Sequence, residues 1–307
     1  MTVDAPRRPA ALTVTRPVAV AVALGIVYVV WGSTYLAIGV VVETMPPLAS
    51  AAVRFLLASL VMAALLALRS GWRRLVVAPA EAAGAALVGA LLPAAGNGLV
   101  TIGESLGTPT GIAALMIASV PLWIVCYRLL TGDRPRSATI LGVLAGFAGL
   151  AGLVTAIGIG GSIPLGPTLL IALAAMCWSF GSWIQPRLRL PSDAFVTTVY
   201  EMLAGGAILL LTGLLSGERI DIGAYSARSW LAWAYLVVFG SLVAFTAYVW
   251  VLANAPISLV ATYAYVNPVV ALFLGWLVLG EALTGSVLLA TAVILAGVAV
   301  VVGSERR

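Results

Sequence analysis

The chain contains no histidine and no lysine; all sixteen of its basic residues are arginine. That removes imidazole bases, His-based metal sites, lysine Schiff bases and every Ser-His or Cys-His nucleophile pair. No clustered acid or serine-base constellation replaces them, so neither an enzyme nor a cofactor or metal is expected. Charge of either sign is scarce, at 9% of 307 residues. The two cysteines, Cys126 and Cys177, both fall in apolar runs and read as small buried hydrophobes, not as a disulfide. The pI near 9.6 raises the question of nucleic acid. The arginines are scattered over short connections without a basic stripe, so no nucleic-acid partner is expected.

What is abundant is apolar surface. The chain is 62% hydrophobic, with a mean hydropathy of +1.13, more than a soluble domain can cover, so lipid is the solvent for most of its length. Runs able to cross a bilayer occupy residues 17–42, 47–69, 80–102, 107–130, 137–157, 164–185, 194–216, 228–252, 257–279 and 284–303. Breakers such as Met45-Pro46-Pro47, Gly132-Asp133-Arg134-Pro135, Pro186 to Pro191 and Asn254-Ala255-Pro256 separate them. The expected fold is an all-α membrane protein of ten transmembrane helices, in contact with the lipid bilayer.

Arginine placement predicts the orientation. With the N-terminus in the cytoplasm, Arg7, Arg8, Arg16, Arg69, Arg73, Arg74, Arg128, Arg134, Arg136, Arg187, Arg189, Arg306 and Arg307 fall inside. Only Arg219 and Arg228 fall outside, and Arg54 lies within a span. This bias predicts that both termini are cytoplasmic. The first apolar run is too long for a signal peptide and lacks a small-residue cleavage site before Trp31, so it reads as the first span.

The two halves repeat. Trp31 and Trp178, Pro109 and Pro256, and Pro121 and Pro268 are each 147 residues apart. After a one-residue slip Thr131-Gly132-Asp133 corresponds to Leu279-Gly280-Glu281. The reading is a disordered tail over 1–16, a first repeat over 17–157, a second over 164–303 and a tail over 304–307. Five spans per repeat is an odd number, so the second repeat enters the membrane inverted.

Pro121 and Pro268 interrupt long apolar runs at corresponding positions, and Pro93 with Gly96-Asn97-Gly98 interrupts the third span. A proline there frees the carbonyls of Ile117 and Ala264, four residues back. Such breaks are tolerated in a bilayer against protein or a wet cavity, and paired breaks point to a transport site. Polar and aromatic groups at that depth give the candidate substrate-binding set. It comprises Trp31, Ser33 and Thr34 in span 1, Asn97 and Thr101 in span 3, and Trp178, Ser179 and Trp183 in span 6. Tyr248 in span 8 and Tyr263, Tyr265 and Asn267 in span 9 complete it.

Arg54 and Glu201 also lie 147 residues apart. They differ in depth, at roughly 10 Å from the outer face and roughly 10–12 Å from the inner one, which argues against pairing. Arg54 is expected to bond local carbonyls or snorkel outward, a structural role. Glu201 is the candidate proton carrier if transport is proton-coupled, while Glu104 and the other acids read as helix-end partners. Gly142-x-x-x-Gly146 permits close helix approach. No oligomeric state follows from it, and a monomer suffices.

These residues together resemble the drug/metabolite transporter superfamily, specifically EamA-type transporters and among them the YedA-like inner-membrane group. The resemblance rests on Trp31-Gly32-Ser33-Thr34-Tyr35, Pro46-Pro47-Leu48 leading to Val53-Arg54-Phe55, Gly96-Asn97-Gly98 with Thr101 and Glu104, and Gly111-Ile112-Ala113-Ala114 with Pro121-Leu122. In the second half it rests on Glu201-Met202-Leu203-Ala204, Tyr263 through Ala271, and Gly280-Glu281. It implies a ten-helix basket of two inverted repeats, a cavity lined by spans 1, 3, 4, 6, 8 and 9, and alternating access. Many relatives carry a basic residue near the end of span 1, where this chain has Gly39 and uncharged neighbours; that departure argues against an anion held there. The expected function is export of small neutral or zwitterionic metabolites, amino acids first, across a bacterial inner membrane. Efflux of lipophilic drugs or pigments, and a structural or sensory membrane role, are the alternatives.

Overall fold

The computed structural model describes residues 15–108, 110–157, 164–279 and 284–305. Pro109, the Gly280-Glu281 pair and most of the two expected tails lie outside those residues. Thr15 and Arg16 already belong to the first helix, and Ser304 and Glu305 to the last. Among the described residues every regular element is helical.

The first repeat comprises α1 (Thr15–Val42), α2 (Pro47–Ser70), a third span built from α3 (Pro79–Gly89) and α4 (Gly98–Ser105), a fourth from α5 (Thr110–Ile117) and α6 (Val120–Leu130), and α7 (Ser137–Ile157). The second comprises α8 (Leu165–Ile184), α9 (Ala194–Leu215), an eighth span of α10 (Ala227–Tyr235) and α11 (Thr246–Asn254), a ninth of α12 (Ile257–Val260) and α13 (Tyr263–Leu279), and α14 (Gly285–Glu305). Seven spans are long and apolar enough to cross a membrane outright. The other three crossings contain the shorter apolar helices Val120–Leu130, Ser137–Gly152 and Ile257–Val270. The protein is a ten-span membrane protein, and leucines such as Leu68, Leu130 and Leu231 face outward, as a lipid-solvated surface requires. Cys126 is exposed, contrary to the buried position expected, and Cys177 is half-buried; both thiols are free.

Helix ends follow local chemistry. Gly71 (φ +82) closes α2 and Gly217 (φ +76) follows the end of α9, so left-handed turns that glycine tolerates stop two repeat-equivalent helices. Asp193 accepts from the Phe195 amide at 3.0 Å and Ser226 from the Ser229 amide at 3.0 Å, capping α9 and α10. Across the repeats, the Glu218 carboxylate accepts from the Leu48 and Ala49 amides at 3.0 and 2.7 Å and so caps the open start of α2.

The repeats meet through their own equivalents: α2 packs along α9, and α7 along α14. At the second seam the approach is backbone to backbone. A Cβ on Gly297 would stand 2.6 Å from the Gly146 nitrogen and 2.7 Å from the Gly142 oxygen. The small-residue spacing in α7 therefore serves a contact inside the chain.

The expected breaks take three forms. Between α3 and α4, Ala90–Asn97 continues as a wide π-type helix that contains Pro93, so the missing proline N–H is absorbed by widening. Between α10 and α11, Leu236–Phe245 does the same without a proline; Gly240 stands 147 residues after Pro93. Span 4 is interrupted at Ala118-Ser119, and Pro121 falls in the first turn of α6, where its missing donor is harmless. Span 9 is interrupted at Ala261-Thr262, and Pro268 lies inside α13. The prolines are symmetric in sequence, but the interruptions they accompany are not.

Candidate functional site

A hollow lies on the seam between the two repeats. It offers about 60 Å³ to the centre of a water molecule. From α1 it is lined by Trp31, Thr34, Tyr35 and Ile38, and from α2 by Arg54 and Phe55. Gly96, Asn97 and Val100 of span 3 and Ile117 of span 4 follow. Trp178 of α8, Gly240 and Phe245 of span 8, and Tyr263 of α13 close it. The six spans expected around a cavity all contribute, and α2 is a seventh. A smaller hollow shares Ile38 and Arg54 with it and adds Val41, Ser50, Thr101 and Trp233, which lie toward the α1–α2 connection.

Four rings cluster at the hollow. Trp31 stands 5.3 Å from Trp178, 4.8 Å from Tyr248 and 5.2 Å from Tyr263 between ring centroids. Trp178 and Tyr263 are 5.6 and 5.4 Å from Tyr248. Edge-on and tilted contacts at these distances are favourable beyond simple burial. Hydrogen bonds fix the rings: Trp178 Nε1 donates to the Tyr248 hydroxyl at 3.1 Å, and Ser182 Oγ shares a 2.7 Å bond with it.

The two indoles rest on the two wide helical stretches. Trp31 Nε1 donates to the Gly240 carbonyl at 3.3 Å. Trp178 lies against Gly96, where a Cβ would stand 2.6 Å from its Cε3. Each repeat thus places its tryptophan on the widened span of the other. Phe55, Val100, Ile117 and Phe245 build an apolar flank of the wall.

Arg54 departs from expectation. It is 5% exposed, its Nη2 donates to Asn97 Oδ1 at 2.9 Å, and its guanidinium carbon sits 4.2 Å above the Phe55 ring. It neither snorkels nor bonds its own helix among the described contacts. A bond to the next helix and a place in the hollow's wall hold it inward. Nothing in the sequence linked it to Asn97, although a charge within a span is by itself a signal of function.

The remaining candidates divide by location. Trp31, Thr34, Asn97, Trp178 and Tyr263 line the hollow, and Tyr248 backs it through ring contacts. Asn267 is buried behind it; its amide, oriented to suit its neighbours, donates to the Tyr263 and Tyr28 carbonyls at 3.0 and 3.3 Å. Thr101 borders the smaller hollow, its hydroxyl on the Asn97 carbonyl at 2.9 Å.

Four candidates lie elsewhere. Ser33 bonds the Val30 carbonyl and the Tyr235 hydroxyl, and Ser179 is turned onto Ala175 and Met176 carbonyls of its own helix. Trp183 packs with Tyr127, Phe180 and the Arg187 guanidinium. Tyr265 is fully buried against α7, its hydroxyl donating to the Val143 carbonyl at 2.9 Å. Ile38, Phe55, Val100 and Phe245 were missed because apolar residues carry no mark of which face they occupy, and Tyr35, although part of the Trp31 to Tyr35 motif, was not singled out.

Among the described residues two glutamate side chains, Glu104 and Glu201, are buried. Glu201 is 0% exposed with no partner on either oxygen, and it is not in the hollow's wall. Its backbone lies against Gly89, just before the widened stretch of span 3. Glu104, expected to be an ordinary helix-end partner, is 8% exposed with both oxygens unbonded.

The family model described as the EamA-like transporter family matches residues 19–155 and again residues 166–303. The chain belongs to that family. Relatives of this EamA transporter include the "Uncharacterized inner membrane transporter YedA" of Escherichia coli (strain K12), 39% identical over 281 residues, which cover 91% of this chain and 89% of that protein. "Protein PecM" of Dickeya dadantii (strain 3937) is 26% identical over 200 residues, covering 63% of this chain and 65% of that protein. A solved structure titled "Crystal structure of protein" superposes with a TM-score of 0.74 at 24% identity, covering 95% of this chain and 100% of that one. That likeness supports the fold of the EamA transporter alone.

Proposed function

We propose that this EamA transporter exports small neutral or zwitterionic metabolites, amino acids first, across a bacterial inner membrane by alternating access. One observation carries the reading: a hollow walled by aromatic rings and a few hydrogen-bonding groups sits where two inverted repeats meet. Interrupted or widened helices surround it, and those are the elements able to reshape it. The name of the YedA relative, an inner membrane transporter, supports the location, and the arginine bias supports cytoplasmic termini. In that orientation the smaller hollow lies toward the outer side, next to the α1–α2 connection.

In this reading Trp31, Thr34, Asn97, Trp178 and Tyr263 contact the solute, while Tyr248 and Asn267 hold the contacting groups in place. Glu201 is the proton carrier, reached when the widened part of span 3 shifts. Efflux of lipophilic drugs or pigments fits the apolar flank, but it gives the buried guanidinium no partner.

Counterflow of labelled amino acids in proteoliposomes tests the proposal. Trp31→Ala and Trp178→Ala are expected to lower uptake at least ten-fold, and Glu201→Gln to flatten its pH dependence. Unaltered uptake in both tryptophan variants would remove the solute from this hollow. An unaltered pH profile in Glu201→Gln would remove the proton from Glu201.

A further inference from the structure

Arg54 is the charged side chain in the wall of the hollow. No carboxylate lies within 4.0 Å of it among the described residues. A guanidinium has five N–H donors. Among the described residues it forms one hydrogen bond, to Asn97 Oδ1 at 2.9 Å, and Nε is buried without an acceptor. An arginine serving only to join α2 to span 3 would spend its donors on protein. A cation held at mid-membrane without an anion is costly, and such residues mark substrate paths.

We infer that Arg54 anchors the carboxylate of the transported solute, with Asn97 fixing the plane of the guanidinium; the inference rests on the transport reading above. The planar fork matches a carboxylate through two parallel bonds. A single fixed positive charge balances one negative charge in this low-dielectric wall, which favours a monocarboxylate over a phosphate dianion.

The rest of the wall completes the description of the ligand. The aromatic rings of Trp31 and Tyr263 in the wall suit an ammonium group, and Phe55, Ile117 and Phe245 suit an apolar side chain. The ligand class is a small amphipathic monocarboxylate, with α-amino acids bearing apolar or aromatic side chains as its fullest match. The equivalent position in the second repeat holds Glu201, which is not in this wall, so the anchor belongs to one repeat and the ligand sits off the pseudo-two-fold axis.

The test uses the full chain in lipid nanodiscs for binding and in proteoliposomes for counterflow. The labelled probes are L-phenylalanine, L-phenylalaninamide, phenethylamine and 3-phenylpropionate. The two carboxylates are expected to bind at least ten-fold tighter than the amide and the amine. Arg54→Gln is expected to abolish the preference, so that L-phenylalanine and its amide bind equally, and Arg54→Lys to restore part of the preference. The comparison of acid with amide needs no variant, so it stands even if Arg54→Gln fails to fold. Equal binding of acid and amide by the unaltered protein overturns the anchor. Flux of the amine or amide with no preference for the acid overturns the anchor and leaves transport intact. No flux of any labelled amino acid or probe overturns the transport reading itself.

Discussion

Adding one methyl group at Gly96 tests whether the indole of Trp178 is seated as described. An alanine Cβ there would lie 2.6 Å from Trp178 Cε3, 3.1 Å from the Leu91 carbonyl oxygen and 3.3 Å from Trp178 Cβ. Carbon atoms prefer about 3.5–4.0 Å, so the ring or the helix has to give by roughly 1 Å. The ring has little freedom, because its Nε1 is bonded to Tyr248 and it meets Trp31 in a T-shaped contact. Overpacking of this kind costs about 1–3 kcal/mol. Alanine regains about 0.8–1 kcal/mol over glycine in a helix, so a net loss of up to about 2 kcal/mol is expected. The matched control is Gly25→Ala in α1, where nothing lies within 4 Å of the new Cβ and stability should hold or rise. The measurements are thermal melting in detergent and counterflow KM. Gly96→Ala should melt below the unaltered protein and raise KM several-fold; a variant that melts no lower than Gly25→Ala with an unchanged KM would refute the packing argument.

Two further outcomes follow from other contacts. Gly297→Val should weaken the seam between α7 and α14, because its side chain meets backbone atoms that cannot rotate away; a loss of at least about 2 kcal/mol is expected, read by melting, and an unchanged midpoint would contradict the close approach. Tyr265→Phe removes a buried hydroxyl bonded to the Val143 carbonyl and should lower stability by about 1 kcal/mol without changing KM, since the ring lies outside the hollow; an altered KM would return Tyr265 to the binding site.

Much of the architecture was legible because lipid imposes simple rules. Ten apolar runs, their breakers and the shared spacing of Trp31 with Trp178 were enough to infer a duplicated ten-span bundle. Trp31, Asn97, Trp178 and Tyr263 were found because polar or aromatic groups at mid-membrane are expensive unless they face protein or water. The same rule could not separate Tyr263 from Tyr265, which point to different neighbours. In a membrane helix both faces are apolar, so periodicity does not say which one meets the core. The widened stretch in span 8 was hidden for a related reason: Gly240 stands where the first half has Pro93, and glycine leaves no clear mark of a break. The pairing of Arg54 with Asn97 joins residues 43 positions apart, and only the fold brings them together.

The crossed seating of the two tryptophans makes the halves a mutual clasp. Trp31 from the first half is latched onto Gly240, and Trp178 from the second is wedged against Gly96. Any motion that straightens one loosened coil withdraws the footing of an indole anchored in the opposite half. The two halves therefore share their footing, and a change at either Gly96 or Gly240 bears directly on an indole that the opposite half supplies.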